Sequence, residues 1–216
     1  HVRKVNKWEL LIDDASTTEI RQLDKTAHGG PGTLVIWENV DRLLPDYKNP
    51  GGAAARKAVE KIRGGFEQHA AMIYQRFLDA TDNRARNVVM YINGAQVNPW
   101  NPFCPHIPGT EMVAEETMPV DIGDGTEAQF TIRAYILPRR EQFSSDADVR
   151  EARLSNQMQG MYIYRENRLI HPHDWLGMFS KEPHLTLLRV EFSFDHTLDS
   201  AFHVDIKKSR ILLNDE

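Results

Sequence analysis

Apolar residues along the chain change their period several times, and each change marks an element. Residues 7–12 (Lys-Trp-Glu-Leu-Leu-Ile) read as a strand. A polar loop follows and ends in His28-Gly29-Gly30-Pro31-Gly32. Thr33-Leu34-Val35-Ile36-Trp37 is a short apolar run of the length expected for a buried strand. The first 40 residues therefore look like the edge of a sheet whose other strands are absent. Residues 45–52 are turn-formers and make a linker. Ala55, Val59, Ile62, Phe66, Ala70, Ile73 and Phe77 then recur at steps of three or four, the stripe of an amphipathic helix. Gly64-Gly65 interrupts it at about 1 kcal/mol per glycine, which predicts a kink or two helices end to end.

Beyond residue 86 the period becomes two. Val88 to Ile92 reads as a strand, and Asn93-Gly94 is a hairpin turn before a return strand at Ala95-Gln96-Val97. Asn98 to Gly109 holds four prolines and reads as a loop. Residues 111–122 and 128–137 read as paired strands. In the second, Phe130, Ile132, Ala134 and Ile136 alternate with Thr131, Arg133 and Tyr135. Residues 146–158 suggest a polar helix, Gly160 to Arg165 a strand, and Trp175 to Phe179 a short helix or turn. Leu187 to Phe194 is a strand with Leu188, Val190, Phe192 and Phe194 on one face. Finally Phe202, Val204 and Ile206 alternate with polar residues and lead into Lys207-Lys208-Ser209. A strand delivering ammonium groups into a turn suits a phosphate, although such a pair also reads as a solvated basic turn.

The pattern is that of an α+β protein: a strand pair, a long helix, and a mixed domain of about 130 residues. Its 216 residues are 41% hydrophobic and 26% charged, with a formal net charge of −5. Mild acidity disfavours a dedicated nucleic-acid binder. Cys104 is the single cysteine, so no internal disulfide forms, and a reducing, cytoplasmic location is expected. No apolar run reaches the ~20 residues of a membrane helix, so no membrane partner is expected. The start at His1 suggests a fragment of a longer protein.

Candidate chemistry is sparse. His171-Pro172-His173, with Cys104, His106, His69 and His28, lacks zinc-site spacing, and His171 and His173 are expected to line a turn. Cys104 sits in a proline-rich loop with no oxyanion site beside it. Gly29-Gly30-Pro31-Gly32-Thr33 lacks the lysine and spacing of a P-loop and reads as a tight turn. Arg139, Arg140, Arg150, Arg153, Arg165 and Arg168 are interleaved with acids and read as a mixed solvated surface.

Four segments in this order resemble the GHKL ATPases, the class containing gyrase B, MutL and the MORC proteins. Gly32-Thr33-Leu34-Val35-Ile36-Trp37 looks like the Gly-Thr strand that closes their nucleotide-binding domain. Gln159 to Ile170 is similar to a strand–turn–strand of their second domain, the transducer. Val204 to Ser209 resembles the segment that carries the transducer's lysine to the γ-phosphate. Tyr91 to Gly94 with Pro99 to Phe103 looks like the MORC-like bacterial branch.

The resemblance implies a division of the chain. Residues 1–44 would be the last strands of a Bergerat-type ATP-binding sheet. Residues 45–84 would be a linker and connecting helix. Residues 85–216 would be a transducer domain with the ribosomal-protein-like left-handed βαβ crossover. It further implies that Thr33, with Gly32, lies near adenine, and that Lys208 or its neighbour Lys207 senses the γ-phosphate. ATP and Mg2+ would serve the full-length parent as a homodimeric clamp, with DNA as a partner. The family's magnesium-binding asparagine, catalytic glutamate and glycine-rich lid have no match here, so this fragment is expected to bind no cofactor and to be inactive. Two other readings remain open at this point: a non-enzymatic interaction module with a transducer-like fold, and a nucleic-acid-binding domain in its own right.

Overall fold

The computed structural model describes residues 14–28, 30–37, 49, 51–123 and 125–202. The chain divides into two compact units, residues 1–59 and 60–216.

In the first unit, helix α1 spans Thr17–Ala27. Ser16 starts it with a capping box: Glu19 N–H donates to Ser16 Oγ at 3.3 Å, and Ser16 N–H to Glu19 Oε2 at 2.7 Å. His28 ends it in the left-handed conformation, φ 50°. Gly30 N–H then donates to the Ala27 carbonyl at 2.9 Å. The run Thr33 to Trp37 departs from expectation. It is not assigned as a strand, and Val35 and Trp37 are 71% and 83% exposed. The composition is that of a buried strand, but among the described residues no layer covers its outer face. Its other side chains, Leu34 and Ile36, line a shallow cleft with Ile20 and Leu23 of α1. The expected strand at residues 7–12 lies outside the described residues, as does most of the linker.

Helix α2, Ala53–Ile73, crosses from the first unit into the second. The expected kink at Gly64-Gly65 is not there: α2 is continuous, and the break falls at Tyr74, before the short helix α3, Gln75–Leu78. Glycine weakens a helix without having to bend it, and Arg63 pairs with Glu60 and Glu67 at 2.5 and 2.8 Å around the glycines. The apolar stripe is buried at its two ends, at Ala55 and at Ala70 and Ile73, whereas Val59, Ile62 and Phe66 between them stay exposed.

The first hairpin is shorter than expected. Its strands are β1, Tyr91–Ile92, and β2, Ala95–Gln96, with Asn93 and Gly94 both at positive φ. Val88 N–H donates instead to the Phe77 carbonyl at the end of α3, while the Met90 carbonyl accepts from Val97 N–H at 2.9 Å beside the short ladder.

A five-stranded mixed sheet follows. Its strands are β3 (Glu111–Asp121), β4 (Glu127–Ile136), β5 (Gly160–Arg165), β6 (Arg168–Asp174) and β7 (Leu188–Phe194), in the order β3-β4-β7-β5-β6. Helix α4, Asp146–Ala152, lies between β4 and β5 and is shorter than the expected helix, because Arg153 turns left-handed. Neighbours pair antiparallel except β5 with β7, which run parallel. The chain passes from β5 to β7 through β6, a turn at Trp175 and a 3-10 turn at Pro183–Leu185, without an α-helix. The architecture is α+β.

The sheet is covered on both faces. On one, Tyr162, Tyr164 and Leu169 pack with Ala70, Ala71, Met72, Ile73 and Leu78 of the helices and with Val97, Trp100 and Phe103. On the other, Ile163, Ile170, Phe192 and Phe194 pack with Ala128 and Leu198, and Phe202 stacks edge-on to Phe192 and Phe194. The proline-rich segment 98–109 is a core builder: Trp100, Phe103, Cys104 and Ile107 are all buried.

Candidate functional site

The residues singled out as nucleotide contacts fall in two places. Gly32 and Thr33 are exposed in the extended run of the first unit. A Cβ on Gly32 would meet the Ala27 side chain at 3.0 Å, so that glycine lets the run pass close to α1. Lys207 and Lys208 lie outside the described residues. Phe202, five residues before Lys207, is the last described position and is half-buried in the aromatic cluster on β7.

The dominant polar feature is a buried charge cluster that periodicity does not reveal. Its centre is Glu191 on β7, 1% exposed. Arg133 of β4 reaches its Oε1 through Nη1 at 2.6 Å, Arg76 of α3 through Nη2 at 2.9 Å, and Arg84 through Nη1 at 3.2 Å. Arg76 also donates to Ser193 Oγ at 2.8 Å and to Asn167 Oδ1 at 3.1 Å. Its guanidinium lies 3.7 Å from the centroid of the Tyr164 ring. Asn167, at the left-handed β5–β6 turn, donates in addition to the Arg84 carbonyl at 2.7 Å. Asp82 and Glu115 pair with the outer sides of Arg84 and Arg133.

The electrostatics follow from this packing. Burial pushes the Glu191 carboxyl up, but the charges of Arg76 and Arg84 and the hydrogen bond from Arg133 outweigh it, holding it below the ordinary carboxylate range. Burial lowers the Arg76 pKa, and Glu191 opposes that shift. Burial acts the same way on Arg84, yet its hydrogen bonds to Asp82 and the Glu191 charge raise it. A carboxylate gripped by three guanidiniums is a poor base. What the cluster does is bind α3, the segment after it, β4, β7 and the β5–β6 turn to one another.

Other candidates resolve as follows. His171 and His173 lie in β6 rather than a turn, since the strand continues through Pro172 to Asp174. Among the described residues no group of three or more His, Cys, Asp or Glu side chains is placed to hold a metal. Cys104 is buried, and burial pushes its thiol up to about 11, against the nearby Arg189 charge; it is no nucleophile at neutral pH. The arginines are dispersed: Arg165 pairs with Asp199 at 2.5 Å, Arg168 faces Tyr74, and Arg150 and Arg153 line a cleft elsewhere.

Sequence reading missed Glu191, Arg76, Arg84, Arg133 and Asn167. Its available signal was Leu188-Arg189-Val190-Glu191-Phe192-Ser193-Phe194, two charges inside an otherwise apolar strand. No family model, curated protein or solved structure matches the chain.

Proposed function

We propose that this chain is part of a GHKL-type ATPase of the MORC/MutL kind, comprising the end of its nucleotide-binding domain and a transducer that senses the ATP γ-phosphate. The observation that carries this reading is the double load on β7. On one face, Glu191 holds α3, the short helix that follows the long α2, through Arg76. On the other, Phe192 and Phe194 hold Phe202, close in sequence to Lys207 and Lys208. A lysine engaged by phosphate and a connecting helix would therefore both bear on one strand.

The proposed mechanism is a difference in binding energy. Lys207 or Lys208 faces the γ-phosphate in the ATP state and loses its principal partner on hydrolysis. The change at the lysine would reach β7 through the Phe202 cluster and pass to α3 through the Glu191 cluster. Thr33 is exposed and suited to a water-mediated contact with adenine, beside Gly32. In this proposal Mg2+ and the activation of water belong to other parts of the parent. ATP-linked homodimer clamping, on DNA, is the proposed output.

The test is the double variant Lys207→Ala, Lys208→Ala in the full-length protein. ATP turnover is expected to fall at least about ten-fold, a loss of roughly 1.4 kcal/mol in the transition state, and ATP-linked dimerisation to disappear. Unchanged turnover and dimerisation would remove the sensor and favour a non-enzymatic interaction module.

A further inference from the structure

A second site is built into the 60–216 unit, apart from the Glu191 cluster. A cleft of about 520 Å3 opens between α2 and the end of α4, lined by Gly64, Gln68, Asn98, Trp100, Arg150 and Arg153 among others. Its floor is Trp100, 5% exposed, whose indole N–H donates to the Glu151 carbonyl at 2.8 Å. The Arg153 guanidinium lies 3.9 Å from the centroid of that ring. Behind it stands Arg189, fully buried, whose two terminal nitrogens donate only to the carbonyls of Pro102 and Ala152 and whose Nε has no partner.

The charge balance here is unlike that of the Glu191 cluster. Among the described residues Arg150, Arg153 and Arg189 make no ion pair. Of the acids that line the cleft, Glu67 pairs with Arg63 at 2.8 Å, and Glu151 lies 2.9 Å from His106 Nε2. Burial and the neighbouring Arg189 charge both depress the Arg153 pKa. Two adjacent guanidiniums that are partly or wholly out of water, facing dipoles and a π-face, favour an added anion. The geometry points to an oxyanion-binding cleft, in which Arg153 and Arg150 grip the carboxylate or phosphate-monoester group of a small molecule above Trp100. Asn98 and Gln68 supply amides for the polar remainder of such a ligand, and Ala71 and Pro99 an apolar wall.

Inorganic phosphate and glutarate, titrated separately at constant ionic strength, test this by the NMR shift of the Trp100 indole N–H and the amides of residues 150–153. Saturable shifts with a dissociation constant of roughly 10 mM or tighter are expected from at least one probe, and which probe binds identifies phosphate or carboxylate as the ligand chemistry. Arg153→Gln and Arg150→Gln should each weaken that binding about ten-fold or more. Asn98→Asp, an exposed change that leaves Trp100 and the core untouched, should weaken it too by placing a competing carboxylate at the rim. The absence of any saturable shift overturns the proposal, and so does binding that survives both arginine substitutions.

Discussion

Glu191 makes its contribution to stability only while ionised. Its folded-state pKa lies below the unfolded value, so the stabilisation is fully present above the ordinary glutamate pKa of about 4.3 and is lost as pH falls through the depressed folded value. Glu191→Gln should therefore destabilise the protein by about 3–5 kcal/mol at neutral pH, because it leaves the buried Arg76 guanidinium without a carboxylate. It should also flatten the fall of stability between pH 5 and about 2. Denaturant titrations at a series of pH values check both; an unaltered acid limb would show that other carboxylates govern it. Gly160 is a second sensitive point. It sits at φ 120°, and a Cβ there would lie 2.8 Å from the Asp174 nitrogen in β6. Gly160→Ala should cost on the order of 2–4 kcal/mol in chemical denaturation, combining backbone strain with a clash that backbone atoms cannot relieve. The glycine was visible in the sequence, but the clash arises from an irregular register between β5 and β6 that no local pattern encodes. Glu191 was hidden for a related reason: its partners are as much as 115 residues away in sequence, and alternation assigns a charged position to solvent by default.

Among the elements, those with strong local signals were legible. The β3–β4 hairpin, the Asn93-Gly94 turn and strands β5 and β7 fall close to where period and turn chemistry put them. Two elements were misjudged by composition. The run Thr33 to Trp37 has a buried strand's residues without, among the described residues, a covering layer. The proline-rich segment 98–109 looks like a solvent loop but seats Trp100, Phe103 and Ile107 in the core. Helix α2 shows that the helix cost of a glycine and its power to bend a helix are separate matters. A Cβ at Gly65 would meet nothing within 4 Å, and the residue does not sit at positive φ. Gly65→Ala should thus stabilise the 60–216 unit by about 1 kcal/mol in thermal or denaturant unfolding, with no change in fold. A destabilised variant would mean that the glycine is needed for a contact on α2.

At the scale of the whole molecule, protection should be uneven. Helix α1 contains no buried residue, whereas β5 and β7 are buried on both faces of the sheet. Amide hydrogens of α1 should exchange through openings costing little free energy, while those of Tyr162, Tyr164 and Phe192 exchange only through opening that approaches the global unfolding of their unit. Hydrogen exchange read by mass spectrometry distinguishes the two; equal protection would mean that the two units open together.

The long reach of the Glu191 cluster also bears on how the protein comes into being on the ribosome. Arg84 and Glu191 are 107 residues apart, and Arg76 and Ser193 are 117 apart. At synthesis rates of about 5–20 residues per second, the arginines emerge roughly 5–20 s before their carboxylate exists. During that interval the end of the helix has its cations but no acceptor on the sheet, and the sheet lacks its central strand. The strand that arrives last thus completes the charge balance and the hydrogen-bonded ladder in one event. Folding of this unit should be delayed until β7 is clear of the ribosomal exit tunnel, and a nascent chain stalled before Leu188 should remain sensitive to protease across β4 and β5.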